Sequence, residues 1–370
     1  MNSFIFFMTF VLTFQWINCN ANNTSKLGIS PCMYAGDFDS SGYYCPTTTM
    51  NISLLPSNCT SFVYEGFNYD YELNIMLPGH AKGNIISLCT SGKPVYLYLD
   101  YAEQMNWMNE VKNASTSTIK VLNLVNMLDK HNITGLILKN LNSYPPQDGN
   151  FDESFYKNLT NYVTVLKTSS VFSEVGLFIN ASDMIYHRNN PKAPGWLDYD
   201  KWLNNIMDYY IISFDKFNPC NDKFKTGIVP LNDSNVQTNN TLAKFLNVLK
   251  DSKMLKDKIY LEFSLSPTVN DTTNENLPTC CVSYKKYCEP GNYNLFWCAD
   301  NADAFFQKGK FARDVNAKGI VAKYIDTSDP TGNCGCDNQN QFITYSMIFR
   351  GFLNQAPITD CQKLNQVTKT

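Results

Sequence analysis

Three ionisable side chains stand at the ends of apolar runs in this chain of 370 residues: Lys139 after ITGLIL, Asp215 after YYIISF and Lys323 after GIVA. Charges so placed can donate protons, hold a substrate or neutralise one another. Acid–base chemistry around the first of them would need a carboxyl group close by, yet the segment Ile133–Pro146 (ITGLILKNLNSYPP) contains no Asp or Glu. A positioned general acid contributes roughly 10²–10⁴-fold in rate, so a site built on this segment lacks its main proton donor. Asp148, Asp152 and Glu153 follow closely and could act as displaced acids. A loop or helix start explains them better, because carboxylates suit the positive end of a helix dipole. Lys139 shares strand parity with Ile137 and Leu141 and is expected to point inward. An unpaired buried ammonium would cost several kcal/mol, so it needs an anion, and Asp215 is the natural partner.

The elements that must position these residues are short β-rich runs, at 31–38, 61–68, 94–101, 134–141, 174–180, 209–215, 258–264 and 319–326. Several are near-continuous apolar stretches, as parallel strands buried on both faces require. Helical periods lie between them: Val121, Leu124, Val125 and Leu128; Phe155, Leu159, Tyr162, Val163 and Leu166; Leu242, Phe245, Leu246 and Leu249. A last helix carries Phe342, Tyr345, Ile348, Phe349 and Phe352, while helices after the first two strands are weakly marked. Eight strands alternating with helices predict an α/β fold, a (β/α)₈ TIM barrel with its working face at the strand C-termini. A short Cys-rich insertion, residues 265–300, follows strand 7. A doubly wound sheet would want a Gly-rich first turn, which GDFDSSG at 36–42 does not supply. Tyr96, Tyr98, Tyr101 and Trp107 could line a groove, but barrel packing accounts for most of them.

Composition narrows the setting. A net charge of −3 offers no basic surface for nucleic acid. Residues 2–16 form an apolar run too short to span a bilayer, and Cys19-Asn20-Ala21 gives a small-x-small cleavage pattern. The expectation is a signal peptide over 1–21 and one secreted barrel domain over 22–370. No later segment reaches the ~20 apolar residues of a membrane span. Of thirteen cysteines, twelve follow the leader, and an even number in a secreted chain implies disulfides worth ~2–4 kcal/mol each. The Cys334-x-Cys336 and Cys280-Cys281 spacings lack accompanying ligands, so no metal and no cofactor is expected. Asn-x-Ser/Thr sequons at Asn22, Asn23, Asn51, Asn58, Asn113, Asn132, Asn158, Asn180, Asn232, Asn239 and Asn270 predict a glycoprotein.

In this order the segments resemble glycoside hydrolase family 18, the chitinases and chitinase-like lectins. Cys32-Met-Tyr with NCTSFVYEGF (58–67), MDYYIISFDKFN (207–218) and GIVAKYIDTSDPTGNC (319–334) are similar to family segments on strands 1, 2, 6 and 8. The resemblance implies a Cys32–Cys59 disulfide. The family's catalytic line, Asp-Gly-x-Asp-x-Asp-x-Glu, falls on residues 134–141, and each acidic position is changed: Thr134, Ile137, Lys139 and Leu141. Phe214 stands where a Tyr contacts the sugar acetamide, and Lys323 replaces the Trp floor of the sugar subsite. Asp215 is retained, and Tyr64, Asp326 and Asp329 fall at matching positions. Asp326 and Asp329 would close the strand-8 turn.

The resemblance therefore implies a catalytically inactive chitinase-like protein that acts by binding. Its partner would be an extracellular protein or a chitin-type N-acetylglucosamine oligosaccharide, with Tyr64, Phe214, Asp215, Lys323 and Asp326 as candidate contacts. A weak hydrolase using displaced carboxylates is the alternative. Two lysines against one aspartate at the mouth would make the former sugar site a small cationic, salt-bridged plug.

Overall fold

The computed structural model describes residues 26–36, 50–65, 68–69, 75–76, 79–100, 107–112, 121–141 except 123 and 127, 151–168, 174–193 except 192, 196–232, 240–269, 283–288, 297–336 and 340–366. The expected leader, Tyr101, Asp148 and the sequons at Asn22, Asn23, Asn113, Asn239 and Asn270 lie outside them. Among the described sequons, Asn51, Asn58 and Asn232 are exposed, and Asn132, Asn158 and Asn180 are half-buried.

All eight expected runs form strands: β1 (Cys32–Tyr34), β2 (Phe62–Tyr64), β3 (Val95–Leu99), β4 (Gly135–Leu138), β5 (Glu174–Asn180), β6 (Tyr209–Ser213), β7 (Ile259–Ser264) and β8 (Gly319–Lys323). They close into a parallel barrel in which β8 pairs with both β7 and β1. Helices α1 (Gly79–Thr90), α2 (Trp107–Lys112), α3 (Glu153–Thr168), α4 (Ala181–Asn189), α5 (Leu242–Asp251), α6 (Ala302–Asp314) and α7 (Ile343–Phe352) flank it. This is a (β/α)₈ TIM barrel. The weakly marked helix after β2 is present as α1, which buries a short stripe of Ile85, Leu88 and Cys89. Among the described residues no helix is long and apolar enough to cross a membrane.

Strand parity divides the core in two. Outward side chains such as Leu97, Leu136, Leu177, Ile212 and Leu261 pack under the helices, and inward ones fill the barrel. The inner filling is unusually rich in tyrosine: Tyr96, Tyr98, Tyr209 and Tyr260 meet edge-on with one another or with Phe178. Such bulk fits only where neighbouring strands carry little. Gly135, Gly176 and Gly319 supply the space, and a Cβ on Gly176 would lie 1.9 Å from the Tyr209 ring.

Disulfides then fasten the segments that connect the strands. Cys32–Cys59 joins β1 to the segment before β2, as the resemblance implied. Cys220–Cys298 and Cys288–Cys334 tie the insertion after β7 to the loops after β6 and β8, and Cys336–Cys361 fixes the C-terminal segment. Three neighbouring loops at the mouth are thus cross-linked, which limits how far that side can open.

Gly176→Ala should destabilise the fold by about 1–3 kcal/mol, because a rigid ring must move. Gly83→Ala, in α1 with nothing within 4 Å of the added carbon, should be neutral or stabilise by up to about 1 kcal/mol. Urea unfolding of both variants checks the contrast; equal effects would contradict the packing described.

Candidate functional site

Inward parity delivers one charged residue from each even-numbered strand to the barrel mouth: Glu65 past β2, Lys139 past β4, Asp215 past β6 and Lys323 at the end of β8. Signs alternate around this ring. Barrel side chains stack in layers drawn from alternate strands, so each lysine lies two strands from both carboxylates. Two ion pairs form. Lys139 Nζ binds Glu65 Oε1, and Lys323 Nζ donates to Asp215 Oδ2 at 2.7 Å. Lys139 also sits 5.3 Å from the ring centres of both Tyr98 and Phe178, a cation–π arrangement that helps hold it over the aromatic filling.

Beneath the ring lies Glu262 of β7, 1% exposed. Its Oε2 accepts from Tyr98 Oη at 2.7 Å and its Oε1 from Ser213 Oγ at 2.7 Å, with Lys323 Nζ 4.0 Å away. Burial raises the Glu262 pKa in spite of Lys323 and the two hydroxyl donors. Burial would also raise Asp215, but the Lys323 ammonium, with Lys216 and Lys139, outweighs it and holds that carboxyl below the usual range. Lys323 is displaced upward: Tyr324, Asp215, Glu262 and Glu65 together overcome its desolvation.

Several expected contacts lie elsewhere. Asp215 is not the partner of Lys139, because Lys323 occupies it. The mouth is not two cations against one anion, since Glu65 and Glu262 bring the carboxylates to three. Tyr64 has outward parity and packs under the helices, where its hydroxyl accepts from Asn84 of α1 at 3.0 Å. Phe214 also faces outward, stacked on Phe263 at 4.8 Å and edge-on to Phe245 of α5. Asp326 accepts the backbone N–H groups of Ala35 (2.8 Å) and Gly36 (2.9 Å), and buried Asp329 takes those of Thr331 and Cys334. Both close turns.

On β4, Thr134 sits at the strand start bonded to Val95 N, and Ile137 is barrel filling. Leu141 does not keep inward parity. Asn140 adopts φ 57°, the chain turns there, and Leu141 joins the outer core at 2% exposure. Of the displaced acids, Asp152 Oδ1 caps α3 through Phe155 N at 2.8 Å, and Glu153 pairs with Lys157 at 3.0 Å. Tyr96 lies deep in the barrel bonded to Glu174, Tyr98 under Lys139, and Trp107 donates to the Lys139 carbonyl at 2.6 Å. Glu65 and Glu262 are the residues that motif comparison passes over. The parity rule that places Lys139 also places them: Glu65 follows inward Val63, and Glu262 follows inward Tyr260.

The arrangement can bind and neutralise charge: among the described residues, the two carboxylates at the rim, Glu65 and Asp215, are each paired with a lysine. Among the described residues no group of three His, Cys, Asp or Glu converges to hold a metal.

No family model matches this chain, and no curated protein does. Solved structures do. The Group IV chitinase of Ostrinia furnacalis in complex with allosamidin superposes with a TM-score of 0.66 at 14% identity, covering 88% of this chain and 99% of that one. Catalytic domain 2 of the Group II chitinase of the same insect, a mutant in complex with (NAG)5, gives 0.63 at 16%, covering 90% and 98%. Human YKL-39, described as a pseudo-chitinase with retained chitooligosaccharide binding properties, gives 0.62 at 13%, covering 88% and 99%. The likeness is one of fold.

The Asp215 carboxyl is lowered, so the stability it adds is complete above the ordinary value of ~3.9 and is lost as pH falls through the folded value. Lys323 is raised, so its share is complete below ~10.4 and fades only in strong alkali. At neutral pH, Asp215→Asn should cost about 1–3 kcal/mol, a modest figure because Asp215 is 42% exposed and Glu262 remains as counter-ion. Thermal midpoints against pH check this. The gap to wild type should close in acid; a gap independent of pH would show that the pair contributes nothing.

Proposed function

We propose that this chain is a secreted, non-hydrolytic chitinase-like glycoprotein that acts by binding rather than by turnover. The observation that carries the proposal is Lys139. Where a family 18 enzyme would present its acids, this chain presents an ammonium bound to Glu65 and seated on Tyr98 and Phe178. A cation there opposes the cationic intermediate that the family's chemistry passes through. Glu262 is no substitute. It is enclosed under Lys323 with both oxygens engaged, out of reach of a substrate.

Neighbours of the same fold include both active chitinases and a pseudo-chitinase that binds chitooligosaccharides. At the mouth of this chain, however, aromatic platforms have been withdrawn: Phe214 faces the helices and Lys323 takes the place of a stacking ring. An ion-paired rim with few open rings among its described residues favours recognition of an extracellular protein over a chitin chain at this end of the barrel.

The mature protein should release no sugar from chitin oligomers. Leu141→Glu should not create activity, because position 141 points into the outer core, and it should destabilise the fold by several kcal/mol as a buried carboxylate. A reducing-end assay with chitin hexamer tests the first point. Turnover abolished by changing one acid would overturn the proposal, as would micromolar or tighter hexamer binding that Lys323→Ala removes.

A further inference from the structure

On the flank of the barrel, outside the ring of charges, a cleft of about 430 Å³ opens between the start of α3 and the segment leading into β6. Its size is that of small-ligand sites. Tyr156, Trp196 and Trp202 line it, with Glu153, Asp198 and Lys201 on the rim. Both indoles are half-buried. Trp202 lies parallel to Tyr156, with ring centres 5.5 Å apart and planes at 2°, and Trp196 meets Tyr199 edge-on at 5.6 Å.

The backbone that presents Trp202 is unusual. Tyr199–Leu203 forms one π-helical turn, closed by Leu203 N to Asp198 O at 3.2 Å and capped by Asp198 Oδ1 accepting from Lys201 N at 2.9 Å. Such turns recur where a helix has been widened to place a side chain for function. Asp198 N in turn donates to Tyr156 Oη at 2.8 Å, so the two walls are joined across the cleft floor.

We propose that this cleft is a binding site for a neutral saccharide, separate from the barrel mouth. A sugar ring offers an apolar C–H face to aromatic rings and hydroxyls to a polar rim, and the cleft supplies both. Charge argues against a cationic ligand. Glu153 is paired with Lys157 at 3.0 Å, and Lys201 holds its ammonium 4.9 Å from the Trp202 ring centre, where it adds to Lys157 in holding the Glu153 carboxyl below its usual range. Acids and bases at the rim balance, so an aromatic cage seeking a cation would find its carboxylates already offset. The site is independent of whether the mouth binds anything.

The test is ¹⁹F NMR of the 5-fluorotryptophan-labelled protein, titrated with N-acetylchitotetraose, cellotetraose, mannotetraose and, as the cation probe, tetramethylammonium. Trp107, hydrogen-bonded to the Lys139 carbonyl, reports the mouth, and Trp196 and Trp202 report the flank. A saturable shift of the Trp196 and Trp202 signals with at least one tetrasaccharide is expected. Trp196→Ala should weaken that binding about tenfold. Glu153→Gln with Asp198→Asn, which keeps the cap, should leave it within about threefold, as a neutral ligand requires. Shifts confined to Trp107, no shift with any sugar, or a response to tetramethylammonium that the double amide variant abolishes would each overturn the proposal.

Discussion

A carboxylate enclosed in a closed barrel must find donors or keep its proton, and Glu262 sets that condition for the whole mouth. Its two oxygens take hydroxyl donors from Tyr98 on β3 and Ser213 on β6, and the Lys323 ammonium comes to 4.0 Å from β8. One side chain therefore couples four strands. Ser213 also accepts the Asp215 backbone N–H at 3.1 Å, which fixes where the rim carboxylate starts. The alternating ring of Glu65, Lys139, Asp215 and Lys323 would by itself allow either of two pairings. Glu262 sits on β7, between β6 and β8, and draws Lys323 to that side. Asp215 is then occupied, and Lys139 is left with Glu65.

This ordering explains what could be seen in the sequence and what could not. The strands were legible because a parallel barrel buries both faces, so several runs are nearly apolar throughout, and from the third strand on helical periods lie between them. The inward placement of Lys139 followed from parity alone. Its partner did not, because Asp215 and Glu65 are equally distant in strand count, and the choice between them rests on Glu262, a third carboxylate in the apolar run IYLEFS. Motif comparison directs attention to the positions a family uses. It placed Tyr64 and Phe214 at the mouth although each has outward parity, like Phe62 and Ile212. The flank cleft escaped for another reason: Trp202 is brought to Tyr156 by a π turn, whose five-residue closure leaves no periodic mark in the chain.

The backbone of the mouth follows the same ring of charges. Lys139, Asp215 and Lys323 are each followed at once by a residue in the left-handed region: Asn140 at φ 57°, Lys216 at φ 50° and Tyr324 at φ 61°. Asn tolerates this conformation, whereas for Lys and Tyr it costs roughly 1–2 kcal/mol. The ion-paired closure is held against that strain. In return the chain turns immediately after each charge, and the turn at Tyr324 brings its ring to 4.9 Å from the Lys323 ammonium. On β4 the same turn has a further effect. It rotates Leu141 out of the barrel and into the layer beneath the helices, so no side chain at that position faces the mouth. A carboxyl group placed at that position would be buried in the outer core. A side chain at position 141 would reach the mouth only if the turn at Asn140 were rebuilt, and with it the Lys139–Glu65 pair, whose lysine is placed by the strand end that the turn defines.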